Sequence, residues 1–351
     1  MADRFTNWVI FFKIVSMCRF FTRRCTLIFV FIIIATIFSA VSSGCKENDV
    51  IPAPSLNRAV PHQGEWGIYE LNLGTLEVNL IYSTPNEIYT SALRLNTEGD
   101  RFVFAQKTDG NNDDNLEIYT IETNGEGLTR LTNNSFFDLY PVWSADDTRI
   151  AFLSRRGGDL DIYVMDADGG NTSRLYDSGS NDADIDWADG NVVFTSQFAI
   201  WKINDDGTQP VQITNPPDRG QWGKANLPAG DYDPRLSRDG KKVVFERLED
   251  TSQPNGGYNI FVINVDGTGE TRLTDSSYAQ GLASWSHSGN RLVYVVAAIN
   301  GEGKYDIYMM NSDGTSNRSI TPDYFPVNFL CYSPIFSKDD SRIFFIGQWW
   351  E

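Results

Sequence analysis

Few residues of this 351-residue chain are equipped for acid–base, nucleophilic or metal chemistry. Histidine occurs twice, as His62 and His287, in unrelated stretches, so neither has a second imidazole with which to hold a metal or relay a proton. No Gly-x-Ser-x-Gly elbow is present, which removes hydrolase chemistry of the α/β kind. The run Asp109-Gly110-Asn111-Asn112-Asp113-Asp114-Asn115 alternates oxygen ligands as calcium loops do. It lacks glycine at the sixth position, and the twelfth residue, Thr120, is no bidentate glutamate, so it reads as a solvated loop. Ser237-Arg238-Asp239-Gly240 has counterparts elsewhere in the chain and reads as a turn staple, since Asp and Gly are what such turns require. The expectation is no catalytic residue, no metal-ligand set and no cofactor.

The remaining reactive group is Cys45, and its setting is a leader. Residues 1–44 carry Arg4, Lys13, Arg19, Arg23 and Arg24 against Asp3 alone, followed by the apolar run Leu27–Val41. A basic stretch, a short apolar core and small residues after it describe a secretory signal, too short for a membrane-spanning helix. Met17 offers an alternative start with a more usual leader length. Ser43-Gly44-Cys45 resembles the lipobox of bacterial lipoproteins, with Ser42 where an aliphatic residue is usual, so Cys45 is the expected lipidation site. Residues 45–65, with three prolines after Lys46, read as a tether. Loss of the leader moves the formal charge from −17 to about −21, which disfavours nucleic acid as a partner. It also leaves Cys331 without a thiol to pair with, as a buried side chain.

Those few groups sit on a repeated frame. In Tyr140–Leu175, Val142–Trp143 ends a first strand, Arg149–Ser154 makes a second with Ile150 and Phe152 on one face, Asp161–Met165 a third and Thr172–Leu175 a fourth. The third strand recurs as Gly67-Ile68-Tyr69, Glu117-Ile118-Tyr119, Asp161-Ile162-Tyr163, Ala199-Ile200-Trp201, Asn259-Ile260-Phe261 and Asp306-Ile307-Tyr308. Each precedes a turn such as Asp205-Asp206-Gly207 or Ser312-Asp313-Gly314, and each follows a strand bearing an aromatic: Phe104, Phe152, Phe194, Phe245, Tyr294 and Phe345. A spacing of about 48 residues lies near the range of propeller blades. The C-terminal copy, Tyr332–Gly347, supplies two strands and the N-terminal copy, Trp66–Tyr82, the other two. The pattern predicts an all-β, six-bladed β-propeller over 66–351, with four-stranded antiparallel blades and a last blade closed by strands from both chain ends.

Tyr140-Pro141-Val142-Trp143-Ser144-Ala145-Asp146, Asp161-Ile162-Tyr163, Asp233-Pro234-Arg235-Leu236-Ser237 and Ser333-Pro334-Ile335-Phe336-Ser337 resemble the WD40-like repeats of the TolB family. The resemblance implies a propeller of the bacterial cell envelope. The family's namesake carries an α/β domain ahead of the propeller, and residues 45–65 leave no room for one, so a TolB-like propeller lipoprotein without that domain is expected.

Function is expected in the loops. First-to-second and third-to-fourth turns share one face and barely vary in length, whereas second-to-third and fourth-to-first loops share the other and vary widely. Aromatics on that variable face, Phe136, Phe137, Trp222, Tyr324 and Phe325, read either as interface anchors or as covers for the blade edge. Asp218, Arg219, Asp231, Asp233, Arg155 and Arg156 would add polar specificity. The resulting expectation is a monomeric, non-enzymatic scaffold, exported and lipid-anchored to a membrane (outer membrane or periplasm-facing), binding an envelope protein or lipoprotein through Phe136, Phe137, Arg155, Arg156, Asp218, Arg219, Trp222, Tyr324 and Phe325. The alternative is a carbohydrate-binding or carbohydrate-cleaving propeller, for which two facing carboxylates would be the signature.

Overall fold

A computed structural model describes residues 64–108, 116–254, 256–276, 278–297, 305–326 and 328–349. The leader, Cys45, His62, nearly all of the tether and the Asp109–Asn115 loop lie outside the described residues. All regular structure that is described is strand, in six four-stranded antiparallel units, the last two of which are joined into one sheet by a parallel bridge between Tyr305 and Leu330. Blade 2 is typical: Asp138–Trp143, Arg149–Ser154, Asp161–Asp166 and Ser173–Tyr176, each paired to the next. Blades 1, 3, 4 and 5 span 94–130, 182–212, 230–272 and 279–319. First strands of neighbouring blades touch one another, so they line the axis, and the chain steps outward through each blade. The six-bladed expectation therefore holds.

Packing of blade on blade explains the composition of the middle strands. A sheet covered on both faces needs apolar residues at consecutive positions instead of alternating ones. Ile150 and Phe152 do share a face, but Ala151 and Leu153 on the other are buried as well. The six second-strand aromatics are all fully buried, and Phe104, Phe245 and Phe345 stack on Tyr119, Phe261 and Tyr69 of the adjoining strand at 5.9, 5.7 and 5.4 Å.

Short polar staples hold the turns. Ser144, Ser237 and Ser337 donate to Asp146, Asp239 and Asp339 at 2.6–2.7 Å and accept the amides of Arg149, Lys242 and Arg342. These hydroxyl bonds hold the Asp146 and Asp339 carboxyls down at about 2. A second staple follows the fourth strand, where Thr132, Thr214, Thr274 and Thr321 accept the amides of Ile118, Ile200, Ile260 and Ile307 at 2.7–2.9 Å. Its sequence signal is the recurring Leu/Ile–Thr doublet. The third-to-fourth turn presses against the preceding blade: a Cβ on Gly207, whose φ is +82°, would overlap the Leu175 carbonyl oxygen.

Blade 6 combines the two chain ends. Its first two strands are Phe329–Phe336 and Arg342–Trp349, and its outer two are Trp66–Asn72 and Val78–Thr84. Trp66–Asn72 pairs with Gln348–Arg342 without a register break, as expected from the incomplete end copies. Tyr69 stacks on Phe345 and meets Phe329 edge-on at 5.6 Å, in a cluster that also buries Leu71, Val78, Phe325 and Cys331.

Candidate functional site: the loop face and the axis

The loop aromatics divide into exposed and buried. Trp222 and Phe136 are exposed, at 58% and 41%. Phe137 and Tyr324 are half-buried. Phe325 corrects the expectation, since it is buried in the blade 6 cluster, edge-on to Phe329 at 4.7 Å. Amide bonds from Phe325 to the Pro322 carbonyl and from Phe329 to the Pro326 carbonyl turn this loop inward. Its aromatics cover the blade edge instead of facing solvent.

The charged candidates are mostly committed within the fold. Arg156 grips both oxygens of Asp138 at 3.0 and 3.1 Å and lies over Phe152 and Tyr163 at 5.2 and 5.0 Å. Arg155 lies over Phe137 at 5.8 Å, so these residues and Phe136 form one group on blade 2. Arg219 donates to the Gln197 carbonyl and to Gln212, while Asp218 accepts from Gln221. Asp231 is buried against Arg247, and Asp233 is buried against Arg235, both at 2.5 Å. Neither aspartate is available to a partner, which corrects their proposed role. Desolvation outweighs the guanidinium in each case and pushes both carboxyls upward.

What Asp218 and Arg219 do is build the lobe 213–229. Gly220 and Ala229 exchange amide bonds across the lobe with Ala229 and Gln221, and the amides of Lys224 and Ala225 close on the Thr251 carbonyl. Beneath it Ala225, Tyr232, Leu248 and Tyr258 form a small core, with the Tyr232 hydroxyl bonded to the Pro228 carbonyl at 2.7 Å. Trp222 is thus a large apolar side chain held in solvent by a loop that is tied down at both ends and packed underneath. Preorganisation of this kind is what makes an aromatic an efficient binding anchor.

The axis carries a second set of groups that the repeat pattern did not disclose. In five blades the first strand breaks register and places one residue in the left-handed region: Tyr140, Asp184, Asp233, Leu282 and Ser333, with φ of 47–55°. Behind this bulge Arg235 of blade 4 reaches across to the Ser91 carbonyl at 3.1 Å, and Arg94 of blade 1 meets Asp186 of blade 3 at 3.4 Å. Asp184 and Asp186 accept the amides of Asp233 and Leu236, and Glu246 accepts that of Leu282. Burial, with Arg235 nearby, lowers the Arg94 guanidinium to about 10, while burial and its acidic neighbours Asp233 and Asp184 push Glu246 well up. These carboxylates tie strand to strand; Asp184, Asp186 and Asp233 are buried and Glu246 is half-buried. His287, in a first-to-second turn, contacts Arg238 and donates its amide to Asp340. Among the described residues no three His, Cys, Asp or Glu side chains are arranged to hold a metal ion.

Comparison with known proteins agrees with this architecture. The TolB beta propeller domain family matches residues 62–215. A solved structure described as TolB of Agrobacterium tumefaciens superposes with a TM-score of 0.63 over 82% of this chain and 99% of that one. The chain has the fold of a TolB-like β-propeller. At 16% identity that superposition speaks for the fold alone. A TolB homologue of Chlorobium luteolum is 30% identical over 161 residues, 44% of this chain and 33% of that protein. An uncharacterised protein of Agrobacterium fabrum is 28% identical over 187 residues, 51% of this chain and 61% of that protein. The TolB-like chain is therefore matched to less than two thirds of the length of either relative.

Proposed function

We propose that this TolB-like propeller is a non-catalytic scaffold of the bacterial cell envelope, anchored through lipid on Cys45, that holds a protein partner on its variable-loop face. The observation that carries the reading is the lobe 213–229, which is packed and hydrogen-bonded yet leaves Trp222 58% exposed. Phe136, lying within 6.0 Å of the Arg156 guanidinium, extends the same kind of surface to blade 2. The leader-like composition of residues 1–44 and the family of the propeller support export, and a second envelope protein or lipoprotein is the fitting partner. A sugar-cleaving role is less well supported, because Asp184, Asp186 and Asp233 are buried and, with half-buried Glu246, are engaged by strand amides and guanidinium groups.

The test is affinity capture from native envelopes with the Trp222→Ala/Phe136→Ala double variant. Truncating hot-spot aromatics costs about 2 kcal/mol or more each, so partner recovery is expected to fall by at least tenfold. Recovery equal to that of the unaltered protein would remove this face from consideration.

A further inference from the structure

Three consecutive blades place an aspartate at one register position of the first strand: Asp138 opposite Ser154, Asp182 opposite Ser196 and Asp231 opposite Arg247. All three are fully buried. Asp138 is gripped by Arg156 and Asp231 by Arg247, each guanidinium reaching both carboxylate oxygens. Asp182 has neither. Ser196 stands where blade 4 has Arg247, and Phe198 where blade 2 has Arg156. The Ser178 hydroxyl donates to Asp182 at 2.7 Å and lies 3.4 Å from the hydroxyl of Ser196, which also favours the charged carboxylate.

The seam between blades 2 and 3 is unbalanced in charge for this reason. At the preceding seam, Glu117 and Asp138 are answered by Arg130 and Arg156, two acids by two bases. Here Asp161, Asp177 and Asp182 act on one another, and among the described residues Arg174 is the base that pairs with them, 3.4 Å from Asp161 and 2.8 Å from Asp177. The amide of Asp182 is bonded to the Leu160 carbonyl, which brings the 160–161 and 181–182 segments together. One oxygen on each of two nearly fully buried carboxylates, Asp161 Oδ1 and Asp182 Oδ2, has no hydrogen-bond partner. Burying such acceptors unanswered is costly, and burial is the main cause that pushes the Asp182 carboxyl up to about 7.

We propose that this seam binds one divalent cation of the calcium type between Asp161 and Asp182. The two carboxylates and the Ser178 and Ser196 hydroxyls are hard oxygen donors, the kind calcium takes in irregular sites. Asp161, Asp177 and Asp182 against Arg174 leave two charges of deficit, to which exposed Asp159 adds, and a divalent ion suits such a deficit. With two carboxylates in place of a full cage, affinity belongs in the weak range of extracellular modules, a Kd of about 0.1–1 mM. The ion would pin segment 177–181 to blade 3, ordering a variable-face loop through metal where the neighbouring blades use arginine.

Thermal melting at pH 7.5 in chelator, then in CaCl₂, MgCl₂ or NaCl at matched ionic strength, tests this. Calcium at a hundredfold excess over Kd is expected to raise Tm by about 5 °C, beyond the response to magnesium or sodium. Asp182→Asn should abolish that rise. Ser196→Arg, which restores the guanidinium of blade 4, should abolish it while leaving the protein at least as stable in chelator. If Asp182→Asn does not fold, Asp161→Asn carries the same two outcomes. The proposal is overturned if calcium adds nothing beyond the other salts, meaning that a proton alone neutralises Asp182. A calcium response that persists in the variants overturns it as well, since the ion would then bind elsewhere.

Discussion

Single residues in this propeller are constrained by what the next blade places against them. Gly207 and Gly289 both occupy the left-handed region, at φ of +82° and +73°, but only Gly207 faces another atom, the Leu175 carbonyl oxygen of the preceding blade. Gly289→Ala should therefore cost only the left-handed penalty, about 1–2 kcal/mol. Gly207→Ala should cost at least about 2 kcal/mol more, because the blade seam must open by an ångström or so to admit the methyl group. Denaturant midpoints at constant slope measure both, and equal losses would show that the seam is softer than described. The Asp-Gly turns were legible in the sequence as turns. Their second role, as contact points between blades, was not, because nothing local to Asp205-Asp206-Gly207 refers to Leu175. The same limit hid Phe325, whose burial depends on Phe329 and Phe345, and Asp182, whose missing arginine shows only once three blades are in register.

At the scale of elements, the sequence pattern read best where each blade repeats the same residue types. Second and third strands, their aromatics and the splitting of blade 6 between the chain ends were all legible, since each is a local pattern recurring at constant spacing. First strands were less legible. Their bulge residues, Tyr140, Asp184, Asp233, Leu282 and Ser333, share a conformation but no chemistry. Closure of blade 6 is the element-level feature with the largest expected effect. Ile68, Tyr69, Leu71 and Val78 are buried there, each contributing about 1.5–3 kcal/mol, so together they rival the 5–15 kcal/mol stability of a typical domain. Leu71→Ala should lower unfolding free energy by about 2–5 kcal/mol, and a chain starting after Thr84 should fail to give a cooperative melt. A truncated chain that melts like the full one would mean that the ring does not depend on its N-terminal strands.

For the molecule as a whole, the division of labour is between a repeated frame and unrepeated loops. The staples Ser144–Asp146, Ser237–Asp239 and Ser337–Asp339, the threonines after the fourth strands and the cross-axis contacts Arg94–Asp186 and Arg235–Ser91 all serve the ring. The surface we propose for a partner is the variable face, with Trp222 at its most firmly held lobe. The opposite face offers a matched control, because Leu76 and Leu128, beside third-to-fourth turns, are also exposed, at 47% and 44%. A photo-crosslinking amino acid placed in turn at positions 222, 76 and 128, and irradiated in the native envelope, tests the central claim most directly. A discrete protein adduct from position 222, with none from 76 or 128, is the predicted result. Adducts from 76 or 128 and none from 222 would place binding on the frame and contradict it.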